Sequence, residues 1–329
     1  MTEGRVVEGP FFDELEVGQI FRSAPAATLT SGLAAVHQSI LGDRLALPLD
    51  GRLSRVVAQR EIAHPALAWN IAIGQSTVVT HHVKANLFYR GLVFHRAPAI
   101  GDTLRTVTEV VALRQNSSRP DRAATGLAAL RMTTTDHEDR PVLDFFRCAM
   151  LPLRDPNGQT DRADDIDSVG ASSAPTTFSG AVEGWDLAAF GHRVEGPSFA
   201  DLAEGDVLLV LGGDVVSSAP ELARLTLNIA IAHHDAGTDG RRLVYGGHTI
   251  GLALAQATRA IPTMITVTGW HGCDHLGPVY ESDTLRSVIT IEKTEPMETG
   301  GLIHLRSVVT ADGETPRQVL DWRFVCVVA

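Results

Sequence analysis

The sequence predicts an α+β protein built twice over, each half a curved antiparallel sheet wrapped around one buried helix. Three observations predict it: an internal repeat, one strongly apolar helix per half, and several strand-like runs after each helix.

The repeat has three parts in the same order. Glu8-Gly9-Pro10, running through Leu15 to Gly18, recurs as Glu195-Gly196-Pro197, running through Leu202 to Gly205. Arg90-Gly91 to Asp102-Thr103-Leu104-Arg105 recurs as His271-Gly272 to Asp283-Thr284-Leu285-Arg286. Val142-Leu143-Asp144 ending in Cys148 recurs as Val319-Leu320-Asp321 ending in Cys326. The offset shrinks steadily along the chain, as loop deletions in the second copy would make it.

Each half opens with a polar entry segment, a short strand and a variable helical region. The apolar helices follow, Pro65 to Val79 and Thr249 to Ile261. Pro65 suits a first helical position, where its missing N–H has no intrahelical partner. Ile250, Leu252, Ala253, Leu254 and Ala257 leave little polar face, so the second helix is expected to be buried nearly all round. Thr103 to Leu113, Gly126 to Thr135 and Val142 to Leu153 then read as strands, mirrored by Thr284 to Glu292, Leu302 to Thr310 and Gln318 to Val328. One buried helix inside a curved sheet is the hotdog unit, so the expected architecture is a double hotdog. Residues 1–154 form the first hotdog and 195–329 the second. Residues 155–194, rich in Asp, Ser, Thr, Pro and Gly at their start, form a linker, with Trp185 and Phe190 docking on the second domain.

At 329 residues the chain can bury ample core in two domains of ordinary size. Its 28 Lys+Arg against 39 Asp+Glu leave a net charge of −11, which argues against nucleic acid and anionic membranes as partners. Cys148, Cys273 and Cys326 have no metal spacing and imply a reducing compartment. Residues 1–10 lack the apolar region of a signal peptide, and no run approaches spanning length, so a cytoplasmic protein is expected.

The chemistry is expected between Thr226 and Ala257, where Asn228, His233, His234, Asp235 and His248 gather beside Gly246-Gly247. Proton-transfer groups directly before a buried helix start suit an oxyanion-stabilising site. Asp235 could orient His233 or merely form a turn, and Gly246-Gly247 could serve close packing as well as ligand contact. Arg241 and Arg242 could meet a phosphate or a carboxylate, or lie in a solvated turn. His81, His82, His95, His271 and His275 show no spaced ligand pattern, and no metal site is expected.

At these residues the sequence resembles the MaoC-like dehydratases, in particular their double-hotdog subgroup that includes β-methylmalyl-CoA dehydratase (mesaconyl-CoA hydratase). The likeness rests on Phe11 to Gly18, Gly101-Asp102-Thr103-Leu104, Asn116-Ser117-Ser118-Arg119, Val142-Leu143-Asp144 and Arg241 to His248. It implies reversible hydration of a short or branched 2-enoyl-CoA thioester, with mesaconyl-CoA and β-methylmalyl-CoA as one substrate pair. It implies no cofactor beyond the coenzyme A of the substrate. The family pattern Gly-Asp-x-Asn-Pro-x-His-x-Asp places Asn228 where an aspartate would stand, His233 at its histidine and Asp235 at its last aspartate. An amide is no base, so the resemblance makes His233 the acid/base and Asn228 a group that orients water. Gly246, Gly247 and His248 fall where the family's backbone N–H holds the thioester carbonyl. Arg241 and Arg242 become candidates for the CoA phosphate or an acyl carboxylate.

In the first half the pattern lands on Gly42 to Pro48, and Pro48 replaces the histidine. One site per chain is expected, with the first hotdog degenerate and shaping the pocket. On a regular helix Asn228 and His233 would point about 140° apart, so they converge only if the helix from Pro220 ends between them. No Gly or Pro marks that end. Two competing functions stay open: a thioesterase using Asp43 or Asp235 as base, and a non-hydratase acyl-thioester-binding hotdog recruited as an isomerase or cyclase. A homodimer of chains also stays open.

Overall fold

The computed structural model describes residue 4 and residues 6–117, 122–171, 177–236 and 240–329. Ser118 and Arg119 of the Asn116-to-Arg119 motif lie outside the described residues. The first half contains β1 (Ile20–Phe21), β2 (Ala27–Thr28), α1 (Ser31–Leu41), α2 (Ala46–Leu49), α3 (Gly51–Ala58) and α4 (Pro65–Gln75), then β3 (Ala85–Phe94), β4 (Thr103–Gln115), β5 (Thr125–Thr135) and β6 (Pro141–Pro152). After α5 (Leu187–Gly191) the second half brings β7 (Val207–Leu209), β8 (Asp214–Val215), α6 (Ala219–Leu225) and α7 (Gly246–Ala260). It ends with β9 (Met264–His275), β10 (Thr284–Pro296), β11 (Gly301–Ala311) and β12 (Arg317–Val328).

The strands form one sheet ordered β1-β4-β5-β6-β3-β9-β12-β11-β10-β7, with β2 beside β4 and β8 beside β10. The halves meet where β3 and β9 pair antiparallel, from Phe88↔Asp274 to Val93↔Gly269. This is a double hotdog with a pseudo-two-fold axis between those strands. Neither strand was expected from alternation. Met264 through Trp270 is buried without interruption, because central strands are covered on both faces and need no polar alternation.

All eleven residues of α4 are buried, which its Ala-Leu-Trp-Ile composition permits on every side. Trp69 packs edge-on against Trp270 at 4.8 Å and Trp322 at 6.2 Å, so one helix touches strands of the opposite half. α7 begins at Gly246, earlier than the expected Thr249, and this brings the glycine pair inside the helix start.

Residues 155–194 are more than a tether. Leu113 N–H donates to Asp164 Oδ2 at 2.8 Å, and Arg162 donates to the Phe12 and Asp13 carbonyls. Phe178 sits over Gly269, where any Cβ would collide with its ring. Phe190 packs among Leu47 and Val57 of the first half and Ile265 and Val325 of the second, so it docks on both halves and not on the second alone.

No described helix is long and apolar enough to cross a membrane. All three cysteines are buried and free. Among the described residues one group, Asp102, Asp136 and His137, has metal-like spacing. Its carboxylates are already engaged by Arg60, Arg96 and Arg140.

Candidate active site

The stretch between α6 and α7 makes the site because its backbone breaks where a helix would have separated its side chains. Leu227 adopts φ +62°, a left-handed conformation costly for a branched side chain, and this ends α6 before Asn228. A short 3-10 turn, Ile231–His233, then swings His233 back toward Asn228. The first half clamps the break from outside. Ile229 N–H donates to Thr77 Oγ1 and Ile231 N–H to the His81 carbonyl, each at 2.9 Å. Gly74 of α4 lies so close that an added Cβ would fall 1.7 Å from the Thr226 carbonyl oxygen.

His233 and Asn228 line a cavity of about 400 Å³, within the size range of small-molecule sites. His233 Nδ1 lies 2.9 Å from the Leu243 carbonyl oxygen. A carbonyl only accepts, so Nδ1 carries the ring proton and Nε2 keeps a lone pair. Burial lowers the pKa of this histidine to about 4, with the charge of Arg147 pushing the same way. The ring is therefore neutral near pH 7 and able to accept a proton.

Asn228 Oδ1 accepts the Ala230 N–H at 3.0 Å, which fixes the amide orientation. Its buried Nδ2 has no hydrogen-bond partner among the described residues. An amide donor facing the cavity can hold the oxygen of a water or hydroxyl, and it leaves proton removal to His233.

Gly246 also lines the cavity, at the start of α7. Tyr245, the N-cap, offers no side-chain hydrogen bond, and the His248 N–H turns back to the Tyr245 carbonyl at 2.9 Å. The N–H groups of Gly246 and Gly247 consequently lead the helix without intrahelical acceptors. Side chains would not fit there: a Cβ on Gly246 would lie 2.6 Å from the His275 ring, and one on Gly247 2.2 Å from Asn70 Oδ1. Close packing thus holds both glycines, and of the two Gly246 lines the cavity.

The matching helix start in the first half is closed. Pro65 supplies no N–H, and His64 Nδ1 accepts the Ala66 N–H at 3.0 Å. The other nitrogen, Nε2, lies 2.8 Å from Asp43 Oδ1, so the carboxylate sits against the ring that makes the cap.

The remaining candidates lie elsewhere. Asp235 is exposed and lines an outer groove; the Leu243 carbonyl, not Asp235, holds His233. The His248 ring is fully buried and is absent from the cavity wall. Arg242 pairs with Glu281 at 3.2 Å. Arg241 stacks on Tyr280 at 3.5 Å in the outer groove, which shares Val83, Lys84, Leu243 and Pro278 with the cavity wall. Among the histidines whose roles were open, His275 lines the cavity, its buried Nε2 without a hydrogen-bond partner among the described residues and its pKa lowered by burial to about 4. His81 and His82 bond to Gly9, His95 to Asp144, and His271 to His304. Arg147, on β6 of the first half, also lines the cavity. Sequence reasoning gave the first half a pocket-shaping role but named no residue of it, and so missed Arg147. The available signal was a lone arginine in the apolar run Phe145-Phe146-Arg147-Cys148-Ala149.

No protein-family model matches the chain. It is 28% identical over 319 residues to the β-methylmalyl-CoA dehydratase of Chloroflexus aurantiacus, covering 92% of this chain and 89% of that protein. Among solved structures it is similar to a Mycobacterium tuberculosis protein with a double hotdog fold, essential for bacterial survival during infection. The TM-score is 0.92 and the identity 54%, covering 97% of this chain and 98% of that one. A MaoC domain protein of Chloroflexus aurantiacus superposes with TM-score 0.84 at 26% identity, covering 99% of each chain.

Proposed function

Since the chain belongs to the double-hotdog MaoC-like dehydratase family, we propose that its cavity reversibly hydrates a short or branched 2-enoyl-CoA thioester. The observation that carries this reading is the protonation pattern of His233: Nδ1–H is spent on the Leu243 carbonyl and Nε2 is open beside an uncapped helix start. His233 Nε2 takes a proton from water as the water oxygen bonds to the β-carbon. The C=C π electrons move toward the thioester, and charge on its oxygen is held by the Gly246 and Gly247 N–H groups. Protonated His233 then returns a proton to the α-carbon. Asn228 Nδ2 holds the water in place. Hydration leaves the redox balance of the substrate unchanged, so this chemistry calls for no redox cofactor. Coenzyme A enters as part of the substrate, its arm leaving through the outer groove past Lys84 and Arg241. The pair β-methylmalyl-CoA and mesaconyl-CoA, to which the Chloroflexus relative's name points, is the first to assay.

The thioesterase reading loses support from geometry. Of the two carboxylates that could serve it, Asp43 faces His64 in the other half and Asp235 is exposed outside the cavity. The deciding experiment follows enoyl-thioester absorbance and thiol release together, with wild type beside His233→Ala. Loss of the chromophore without thiol, abolished in the variant, supports the hydratase. Thiol release with the enoyl group retained would overturn it.

A further inference from the structure

Resting on that reading of the cavity, we propose that Arg147 is a receptor for a second, free carboxylate on the acyl group. Arg147 is then the residue that would select the dicarboxylic pair named above over a monocarboxylic thioester of the same size. Arg147 is 3% exposed, yet its hydrogen bonds go only to neutral groups: Nε donates to Asn86 Oδ1 at 3.0 Å and Nη1 to Ser76 Oγ at 2.8 Å. Among the described residues no carboxylate lies within ion-pair distance of it. A buried cation without a counter-ion is strongly unfavourable, so a fold retains one where an anion arrives from outside. Two neutral acceptors hold the guanidinium in place and leave Nη2 uncommitted, which is the arrangement needed to receive a planar carboxylate.

The fold itself does not require the charge, and the internal repeat shows this. Tyr89 pairs with Arg147 across β3 and β6, and at the equivalent place in the second half Trp270 pairs with Phe324 across β9 and β12. Phe324 is fully buried and stacks on Trp322 at 3.8 Å. The same sheet position accepts an apolar ring where no open site exists and carries a cation where one does. A CoA phosphate is a poorer match, since phosphates belong at the solvent-facing mouth while Arg147 sits in the buried wall. The volume of about 400 Å³ also suits a short acyl group.

The test compares mesaconyl-CoA, thioester at the carboxyl next to the methyl-bearing carbon, with tiglyl-CoA, in which a methyl group replaces the free carboxylate. Wild type should favour mesaconyl-CoA in kcat/KM, and Arg147→Gln should cut that preference roughly 10- to 100-fold, the range for a charge-assisted hydrogen bond. Arg147→Lys should restore part of it. The wild-type comparison stands even if both variants misfold: equal kcat/KM for the two thioesters overturns the proposal while leaving the hydratase reading intact. If wild type hydrates neither, calorimetric binding of the same pair still decides. Tighter binding of mesaconyl-CoA, lost in Arg147→Gln, supports the carboxylate receptor, and equal affinity overturns it. Equal weakening of free CoA and both thioesters in Arg147→Gln would mean a phosphate contact and would also overturn it.

Discussion

His233 Nδ1 and the Leu243 carbonyl oxygen are 2.9 Å apart, and this contact decides which nitrogen of the ring can do chemistry. With Nδ1–H donated to a backbone acceptor, the lone pair on Nε2 faces the cavity. His233→Ala should therefore lower kcat for hydration by about 100- to 10,000-fold, the usual worth of a positioned acid/base. Asp235→Asn should change kcat far less, because Asp235 lies outside the cavity wall. Steady-state kinetics on the two variants checks the contrast, and equal losses would return Asp235 to the chemistry.

The pH profile follows from the same burial. His233 must be neutral to act as base, and its pKa is lowered to about 4 by burial, so kcat/KM should stay flat from pH 7 to about pH 5. Stability should give way first. His233, His248 and His275 all have folded pKa values near 4, below the 6.5 of an exposed histidine, and burial is the leading cause in each. Between pH 6.5 and 4 the unfolded chain binds the extra protons, so stability present above 6.5 is lost as pH falls. The slope is about 1.4 kcal/mol per pH unit for each histidine. Chemical denaturation across this window measures it. A kinetic midpoint near 6.5 in folded enzyme would contradict a buried His233 base.

Much of this was legible in the chain, because repeats, apolar helices and alternating strands are local signals. The doubled hotdog could be read from order and spacing, whereas the closed first half and the pairing of Asn228 with His233 came only from the family resemblance, since helical spacing alone would have set those two side chains apart. Three things could not. The break at Leu227 carries no Gly or Pro, since its left-handed backbone is imposed by packing of Gly74 and by the Thr77 and His81 clamps across the halves. Arg147 and His275 reach the cavity only through pairing of β3 with β6 and β9, and long-range strand register leaves little trace in sequence. His248 was misplaced by adjacency: two residues along a helix turn a side chain by about 200°, and its ring is absent from the cavity wall that Gly246 lines.

Gly74 gives the next prediction, because it lies in the first half and packs against the segment that carries Asn228. Its replacement by Ala would set a Cβ 1.7 Å from the Thr226 carbonyl oxygen and 3.1 Å from the Asn228 backbone nitrogen, contacts that only backbone movement can relieve. Gly74→Ala should cost about 1–3 kcal/mol of stability, as overpacking typically does. It should also lower kcat, since the displaced segment carries Asn228. Thermal unfolding and kinetics together check this. Unchanged kcat in a folded variant would show that the clamp does not position the site.

The two helix starts make the last prediction, that each chain binds one acyl-CoA. The start of α7 is left open by Tyr245, whereas that of α4 lacks one N–H at Pro65 and has another taken by His64. His64 is itself held 2.8 Å from Asp43, a carboxylate that is 2% exposed. This aspartate matches the family's base in sequence but serves here to hold a cap. Asp43→Ala should then behave as a structural change, costing about 1–3 kcal/mol because the buried Leu45 N–H loses its acceptor. Turnover per folded chain should stay close to wild type. Calorimetric titration should give one thioester per chain in wild type and in the variant alike. A stoichiometry of two, or a kcat that falls with Asp43 in folded protein, would mean that the first half keeps a working site.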